Sequence, residues 1–393
     1  MIKTLEGIKV ISFSRAAAGI SCAKLLAEYG ADVYFIEPVK GVALRKMKYR
    51  EFYLNSQKSI PINLRDPKGM ELLHKMLSDA DVFISNYRGK ALTAMGLDYD
   101  SLKDKYPRLV HATVTGYGPH GPMKDAPGFD ITAFWARAGI INDVMDVDSD
   151  PLIAPGGMGD VDTGKSLAMG VIAALFRRER TGTGLNVYAS LYSQGLYLNH
   201  AQIIDQEFGK VYPKSRKDPG RALKNSFRCK DGWIQAMVLD FDKHYNKFLT
   251  IMGREDLIGD PRWTCIQDTE GENAIELTKI FDEAFAKLTV AETVKRFEEN
   301  DMACSAYYPG IFATTDEQAK ANQYFFDCVN PAGETIHIPC SPVKFGDDAP
   351  ADMSHTDELG ESTVEIMKAY GYSDEEIEAM IESGAVIAYK GAK

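Results

Sequence analysis

Residues 8–37 decide the fold class, and they read IKVISFSRAAAGISCAKLLAEYGADVYFIE. Residues 8–13 form a short apolar run that is typical of a buried strand, and residues 20–29 carry a helical pattern that Gly30 ends. Residues 31–36 are a second apolar run. A strand, a helix and a second strand in this order predict two parallel strands that are joined by a crossover helix.

The same alternation continues along the first half of the chain. Residues 69–79 are amphipathic, residues 81–85 and 109–115 form apolar runs, and a long apolar helix over 163–180 precedes a strand at 185–189. Helical patterns recur at 242–252, 274–300 and 356–383, and 323–347 is rich in strand formers. We therefore predict an α/β protein with a large Rossmann-like domain built on a parallel sheet.

The composition changes near residue 205, where a basic stretch with several prolines and glycines begins. Such a shift favours a domain boundary. We predict a large α/β domain at 1–204, a smaller α+β domain at 205–322 and a C-terminal segment at 323–393 that returns to the large domain.

Charge and hydropathy exclude several classes of protein. The 393 residues carry a formal net charge of −11, which does not suit nonspecific binding to nucleic acid. The longest strongly apolar stretch, 167–176, is too short to span a bilayer, and residues 1–7 have no signal-peptide core. We expect no nucleic-acid partner, no membrane partner and a cytoplasmic location.

Cysteines and histidines give no signal for a metal site. The six cysteines and seven histidines are scattered, without Cys-x-x-Cys or His-x-x-x-His spacing. Unpaired cysteines are also typical of a reducing compartment. We expect no metal ligands and mostly buried cysteines.

The first crossover unit also suggests a dinucleotide site. Glu37 closes the second strand at about the place where an acid holds a ribose hydroxyl. However, the loop at 14–19 reads SRAAAG and lacks the Gly-x-Gly-x-x-Gly fingerprint. A nucleotide-dependent oxidoreductase is therefore a weaker alternative.

Residues 154–164, APGGMGDVDTG, place a carboxylate after three glycines at the start of the long helix. Asp160 or Asp162 could be a helix N-cap. The other interpretation makes Asp160 a nucleophile: the glycines admit a bulky substrate and free backbone N–H groups for an oxyanion, and the helix N-terminus keeps the carboxylate ionised.

At this point the chain resembles the class III CoA-transferases, the formyl-CoA transferase and carnitine CoA-transferase type, over nearly its whole length. The matching strings are LEGIKVI (5–11), GADV (30–33), IEP (36–38), QKSI (57–60), residues 81–88, GL (96–97), GYGPHGP (116–122), GFD (128–130), GD (159–160) and TGTG (181–184). Each string alone is weak, and their common order and spacing make the resemblance specific.

The resemblance implies a mechanism, a fold and a substrate. Asp160 would attack an acyl-CoA thioester to form a mixed anhydride and then an aspartyl-CoA thioester. CoA would be part of the substrate, with no tightly bound cofactor and with a carboxylic acid as second substrate. Two ring-like subunits would interlock as a homodimer.

The resemblance also implies which residues contact CoA. They fall on Ala17, Ala18, Arg45, Ile62, Asn63, Leu64, Arg65, Asn86, Tyr87, Arg88, Met95, Gly128, Phe129 and Asp130. The chain departs from formyl-CoA transferases at Ala17, where those enzymes have Gln, and at Pro38 and Ala94, where they have Arg. Lys40 or Arg45 is then expected to bind the CoA phosphates in place of the missing arginines.

A same-fold alternative is the α-methylacyl-CoA racemases, which carry a His before the Asp of the Gly-x-Asp segment. That position is Phe129, which cannot exchange a proton, so transfer is favoured over racemisation.

The strings KAL (90–92), GLDY (96–99), PGFD (127–130), AF (133–134) and Arg137 resemble the fermentation branch that passes CoA between an acyl- or enoyl-CoA and an (R)-2-hydroxy acid. Phe134, Trp135 and Met158 are either the walls of an apolar acyl pocket or ordinary core residues.

Overall fold

The computed structural model describes residues 3–147, 149–346, 353 and 355–391. The chain divides into two compact units. The first unit comprises Met1–Ile140, Ile153–Ile203 and Thr314–Lys393, and the second comprises Ile141–Leu152 and Ile204–Ala313. The domain limits proposed above concern segments that fold independently, and they stay a prediction.

The strands of the first unit form a six-stranded sheet and a small hairpin. The strands of the chain are β1 Lys9–Phe13, β2 Asp32–Glu37, β3 Lys58–Pro61, β4 Val82–Ser85, β5 Val110–Thr115, β6 Asn186–Ser190, β7 Lys224–Arg228, β8 Trp233–Met237, β9 Cys304–Ala306, β10 Phe325–Val329 and β11 Thr335–Pro339. The large sheet has the order β3-β2-β1-β4-β5-β6 and all its pairs are parallel. The predicted α/β class is confirmed.

Strands β1 and β4 are neighbours in the middle of the sheet. Strands β2 and β3 are added outward from β1, and β5 and β6 are added outward from β4 in the opposite direction, so the strand order reverses between β1 and β4. In open parallel sheets a crevice opens at the carboxyl ends of the strands on either side of such a reversal. The loops that follow Phe13 and Ser85 are therefore placed to form a binding site.

The helices lie between the strands and after them. They are α1 Ala17–Glu28, α2 Arg50–Leu54, α3 Pro67–Leu77, α4 Gly89–Met95, α5 Tyr99–Leu102, α6 Ile140–Val144, α7 Met158–Thr181, α8 Leu191–Leu198, α9 His200–Glu207, α10 Phe241–Ile251, α11 Glu272–Phe285, α12 Val290–Glu299, α13 Glu317–Ala321, α14 Thr363–Ala369 and α15 Asp374–Glu382. A π-helical segment spans Asp130–Arg137. No helix in the described residues is long and apolar enough to cross a membrane.

Helices α1 and α7 pack closely against each other. A Cβ added at Gly164 of α7 would lie 2.6 Å from Ser21 Cβ and 2.7 Å from Ala18 O, a spacing that only glycine allows. This close approach brings the N-terminal turns of the two helices together beside β1.

The second unit has its own core beneath the antiparallel sheet β7-β8-β9. Its largest fully buried side chains are phenylalanines, among them Phe227, Phe248, Phe281, Phe285 and Phe297. Their rings make edge, tilted and stacked contacts with centroids 4.9–6.3 Å apart. Aromatic packing of this kind stabilises a small domain.

Several helix limits differ from those expected. The pattern at 274–300 is two helices, because Thr289 caps a new helix through its Oγ1, which accepts a hydrogen bond from Glu292 N at 3.1 Å. The pattern at 356–383 is likewise the pair α14 and α15. Helix α1 begins at Ala17 and not at residue 20.

Candidate active site

A cavity of about 660 Å³ opens in the first unit at the carboxyl ends of β1, β4 and β5. Its walls are Arg15, Ala16, Ala18, Asn86, Tyr87, Arg88, Ala91, Val114, Thr115, Gly116, Lys124, Ala126, Gly128, Phe129, Asp160 and Leu191. The cavity occupies the place that the strand order predicts for a ligand.

Asn86 ties together the loops that follow β1 and β4. Its Oδ1 accepts a hydrogen bond from Arg15 N at 2.8 Å, and its Nδ2 donates to Ala16 O at 3.4 Å. The side chain thereby fixes the backbone just before α1. The predicted residue Asn86 lies in the cavity wall and also shapes it.

Positive side chains surround the mouth of this cavity. Arg88 is exposed at the start of α4, and Arg15 and Lys124 are exposed on neighbouring loops. The Arg15 guanidinium lies 5.9 Å above the ring of Tyr87, which stacks on Phe13 at 4.3 Å. The rim therefore offers three cations and an aromatic face to a ligand.

Asp160 lies in the first turn of α7 and forms part of the cavity wall. Burial raises the pKa of its carboxyl to about 6, the nearby Asp130 carboxylate adds to the rise, and a hydrogen bond from the backbone N–H of Ala18 opposes it. The helix N-terminus was expected to keep this carboxylate ionised, and with a pKa of about 6 it is still mostly ionised at neutral pH, although burial and a like charge work against ionisation.

Asp130 supplies the missing cap of α7. Gly157, the N-cap residue, has a φ of +87° and no capping side chain. The buried Asp130 carboxylate accepts hydrogen bonds from Gly157 N and from Asp160 N, both at 3.0 Å. The cap thus comes from 27 residues upstream, which leaves the Asp160 side chain free of that task.

This arrangement corrects two expectations about residues 154–164. Neither Asp160 nor Asp162 is the N-cap; Asp162 accepts a hydrogen bond from Gln194 Nε2 at 2.7 Å and pairs with Lys165. The N–H of Gly157, one of the glycine N–H groups that were expected to face an oxyanion, donates to Asp130 instead, as does the N–H of Asp160. The glycine at position 159 serves packing, since a Cβ there would lie 2.3 Å from Phe134 Cγ.

The structure gathers part of the predicted set around this cavity. Of the predicted residues, the cavity wall contains Ala18, Asn86, Tyr87, Arg88, Gly128, Phe129 and Asp160. Ala17 is buried in an apolar cluster with Ile20 and Phe35. Met95 packs, partly buried, against the cluster that contains Leu92.

Residues 62–65 lie beyond the end of β3 and contact the C-terminal segment. Ile62 is buried and bridges to Val386, and Asn63 N donates to Ala385 O at 2.8 Å. Leu64 packs, partly buried, against the adjoining apolar cluster, whereas Arg65 is exposed. Within residues 62–65, Arg65 therefore has the charged side chain that is exposed to solvent.

Arg45 occupies a structural position. Its Nε donates to Glu37 Oε2 at 2.8 Å, its Nη2 donates to Glu37 Oε1, and its Nη1 donates to Asp357 O at 2.8 Å. Glu37 is fully buried and also accepts from Ser59 Oγ at 2.7 Å. The guanidinium is thus committed to the protein, which argues against its predicted role at the CoA phosphates.

The candidate acyl-pocket residues separate. Phe134 is buried beneath Gly159 and belongs to the main core, and Trp135 packs against that core. Met158 is 57% exposed and Phe129 is 65% exposed. The core interpretation holds for Phe134. Among the three candidates, Met158 is exposed enough to contact a ligand, and the exposed Phe129 of the cavity wall is a further apolar side chain that can do so.

Sequence reasoning missed three groups. Arg15 and Lys124 lie in the cavity wall, and their only signal was a basic residue in a loop after a strand. A third group joins His355, Asp357 and Glu361, with His355 Nε2 3.2 Å from an oxygen of each carboxylate. Asp357 Oδ2 accepts hydrogen bonds from Ser59 N and Ser362 Oγ, so this cluster anchors the C-terminal segment to β3.

Comparison with known proteins identifies the family of this chain. The family model "CoA-transferase family III" matches residues 5–363. The (R)-2-hydroxy-4-methylpentanoate CoA-transferase of Clostridioides difficile is 35% identical over 97% of this chain and 99% of its own length. The cinnamoyl-CoA:phenyllactate CoA-transferase of Clostridium sporogenes is 34% identical, with 98% of each chain covered.

Solved structures show the same fold. The Mycobacterium tuberculosis protein Rv3272 superposes with a TM-score of 0.82 at 25% identity, over 93% of this chain and 99% of that one. A CAIB/BAIF family protein from Brucella suis gives a TM-score of 0.80 at 23% identity, over 94% and 100% of the two chains. By its sequence match and its architecture, this chain belongs to CoA-transferase family III and is a CoA-transferase.

Proposed function

We propose that the protein moves CoA from an acyl- or enoyl-CoA to an (R)-2-hydroxy acid and that Asp160 is the nucleophile. The observation that carries this proposal is the position of the Asp160 carboxylate. It lies in the wall of the cavity, accepts a hydrogen bond from Ala18 N, and forms no ion pair with any Lys or Arg of the described residues. An unpaired carboxylate in a cleft is suited to covalent catalysis.

The transfer proceeds through two anhydrides. The Asp160 carboxylate attacks the thioester carbonyl, the C–S bond breaks, and CoA leaves as a thiolate. The thiolate then attacks the Asp160 carbonyl carbon, which releases the donor carboxylate and leaves an aspartyl-CoA thioester. The acceptor carboxylate repeats both steps in reverse order, and Asp160 returns as a carboxylate. No proton is gained or lost.

The pKa of about 6 suits this role. At neutral pH the Asp160 carboxyl is mostly ionised, so the reactive form dominates. Because nucleophilicity rises with basicity, a carboxylate with a raised pKa attacks a thioester more readily than an ordinary aspartate.

The backbone N–H of Ala18 is a natural partner for the developing charge. It is at the N-terminus of α1 and already contacts the Asp160 carboxylate. When CoA thiolate or a carboxylate attacks the Asp160 carbonyl carbon, a fixed donor at this point stabilises the negative charge that develops on the Asp160 oxygen. This donor comes from α1, whereas the N–H of Gly157, just before α7, donates to Asp130.

The cations at the cavity mouth suit the phosphates of CoA. Arg15, Arg88 and Lys124 lie along this rim. A second cavity of about 580 Å³ shares Tyr87, Thr115 and Lys124 with the first and continues past α4. A long ligand such as CoA needs such an extended groove, with its thioester end at Asp160 and its phosphates on the basic rim.

The acceptor class rests on the relatives. The two that are 34–35% identical act, by their names, on (R)-2-hydroxy-4-methylpentanoate and on phenyllactate with cinnamoyl-CoA. Both acids carry an apolar side chain on a 2-hydroxy acid. The exposed apolar side chains of Met158 and Phe129 near the start of α7 are consistent with such a substrate.

Two alternatives lose ground at this site. A racemase needs a base before Asp130, but Phe129 stands there and faces the cavity. A dinucleotide enzyme places a pyrophosphate at the N-terminus of α1, where the carboxylate of Asp160 already accepts a hydrogen bond from Ala18.

We also propose the interlocked-ring homodimer that the family resemblance implies. On the first unit, α7 and β6 expose large apolar side chains, with Met169 69%, Phe176 61% and Tyr188 54% exposed. Exposed apolar surface of this extent is typical of a subunit interface. Light scattering of the purified chain should give a mass of two subunits, and a monomer at micromolar concentration would contradict the dimer.

The decisive experiment looks for the adduct. The enzyme is mixed with cinnamoyl-CoA or a branched acyl-CoA, quenched with acid or treated with hydroxylamine, and the peptide that contains Asp160 is weighed by mass spectrometry. We expect an acyl or CoA adduct, or a hydroxamate, on Asp160. Product formation without any adduct on that peptide would refute the mechanism. A panel of 2-hydroxy acids of both configurations then tests the acceptor class.

A further inference from the structure

Tyr53 is held firmly next to the start of α7. It lies on α2, is only 6% exposed, and packs in a cluster with Leu54 and Phe35. Its ring meets Phe52 edge-on at 4.9 Å, and its backbone oxygen accepts a hydrogen bond from Gln57 Nε2 at 2.6 Å. Backbone and ring are therefore both fixed, so the hydroxyl has a defined position.

The hydroxyl occupies the space that a capping side chain would fill. A Cβ added at Gly157 would lie 2.8 Å from the Tyr53 hydroxyl oxygen. Gly157 is the N-cap residue of α7 and Asp160 is the third residue of that helix. The hydroxyl also lies close enough to Asp160 for that carboxylate to be, after burial, the largest influence on the pKa of Tyr53.

The hydroxyl is available as a donor. Within the described residues it forms no hydrogen bond, and it is not among the hydroxyls sealed from solvent. Burial, with the charges of Asp160, Tyr49 and Asp130, raises the pKa of Tyr53 to about 12. The hydroxyl therefore keeps its proton at neutral pH.

The chemistry at Asp160 lacks donors on this side. Two backbone N–H groups of α7 are occupied by Asp130, and the N–H of Ala18 approaches from α1. When Asp160 is acylated, negative charge develops on the carbonyl oxygen of the group under attack. A neutral, fixed hydroxyl beside it stabilises that charge without reorganisation.

We propose that the Tyr53 hydroxyl donates a hydrogen bond to the carbonyl oxygen of the acyl group that Asp160 carries, and that Tyr53 is a further catalytic residue of the transfer. The proposal rests on the proposed function of Asp160. The proposal also gives a second reason for a glycine at position 157. The first reason is the positive φ, which strains other residues. The second is that any side chain there would displace the Tyr53 hydroxyl.

The test is Tyr53→Phe in the full-length enzyme, which removes one oxygen and keeps the ring. Single-turnover mixing with an acyl-CoA gives the first-order rate of Asp160 acylation by mass spectrometry, a rate that does not depend on how much of the variant is folded. Loss of one preorganised oxyanion donor typically costs about 10²- to 10³-fold. Since the Ala18 N–H remains, we expect a fall of about 10- to 100-fold, with KM for the acyl-CoA within about twofold.

Tyr245→Phe is the matched control. Tyr245 is also buried, burial likewise raises its pKa to about 12, and its hydroxyl has no partner among the described residues, but it lies in the core of the second unit. Its variant should acylate at the wild-type rate. If wild-type enzyme forms the Asp160 adduct and Tyr53→Phe forms it equally fast, the role of Tyr53 is refuted and the proposed function stands. If wild-type enzyme forms no adduct, the proposed function itself fails.

Discussion

Two carboxylates near the carboxyl edge of the same sheet, the buried Glu37 and the partly buried Asp160, have opposite surroundings. Glu37, at the end of β2, accepts hydrogen bonds from Nε and Nη2 of Arg45 and from Ser59 Oγ. Asp160, at the start of α7, has one backbone donor from Ala18 and a like charge, Asp130, nearby. A carboxylate whose charge is neutralised contributes to the structure, whereas one whose charge is left uncompensated in a cavity is available for chemistry.

The sharpest test of this contrast is Asp160→Ala. If Asp160 carries the acyl group, its removal should lower kcat by at least about 10³-fold, since no other group can form the anhydride. Asp162→Ala is the matched control, because Asp162 lies two residues further along and pairs with Lys165. Both variants are assayed for transfer and for the melting temperature. An Asp160→Ala enzyme with near-normal turnover would remove the distinction between the two carboxylates.

Glu37→Gln tests the other half of the contrast. The change leaves the Arg45 guanidinium, only 10% exposed, without its carboxylate. Breaking a buried ion pair from one side typically costs about 3–5 kcal/mol, so we expect a loss of that size in the free energy of unfolding by urea. Turnover per folded molecule should be unchanged.

The exposed pair of Lys103 and Asp100 provides the reference for that experiment. Lys103→Met should leave the free energy of unfolding nearly unchanged, because an exposed ion pair is screened by solvent. If Glu37→Gln is as mild as Lys103→Met, then Glu37 is not a structural anchor. If it instead abolishes turnover while the fold stays stable, Glu37 belongs to the site.

Asp160→Asn is expected to stabilise the protein at neutral pH. Because the folded-state pKa of about 6 exceeds the ordinary value of 3.8, the folded protein binds this proton more tightly than the unfolded chain. Stability from this group is therefore full below pH 3.8 and is lost as the pH rises through 6. At 1.36 kcal/mol per pH unit, the ceiling on the gain from Asn at pH 7.5 is about 3 kcal/mol.

Urea unfolding of both proteins at several pH values measures this effect. The difference in unfolding free energy should be largest above pH 7 and should shrink below pH 6. A difference that does not vary with pH would mean that the Asp160 carboxyl has an ordinary pKa in the folded state. In that case, keeping an ionised Asp160 in the folded protein would not lower its free energy of unfolding.

The strands of this site were predictable and its electrostatics were not. Apolar runs identify β1, β2, β4 and β5 because parallel strands are buried on both faces. The four-residue β3, Lys58–Pro61, carries no such run and was not predicted as a strand. The glycines at 156, 157 and 159 drew attention to Asp160 and Asp162, and the family resemblance selected Asp160.

Contacts between distant residues left no local signal. The cap that Asp130 gives to α7 spans 27 residues, and the bond from Arg45 Nη1 to Asp357 O spans 312. Arg45 and Arg88 are alike as isolated residues in the sequence, and only the fold pairs one of them and leaves the other in solvent. Residues with roles that depend on such pairing need the tertiary structure.

The contrast extends to these two arginines, and Arg88→Ala is its most modest test. Arg88 is exposed at the cavity mouth and forms no ion pair among the described residues. If it holds a CoA phosphate equally in the ground and transition states, its loss should raise KM for CoA esters by about 10-fold and leave kcat nearly unchanged. Steady-state kinetics at two salt concentrations measure this, because the KM of the wild type should rise with salt more steeply than that of the variant. A fall in kcat with constant KM would instead mean that Arg88 stabilises the transition state. In that case the unpaired charges of Arg88 and of Asp160 would both take part in the reaction.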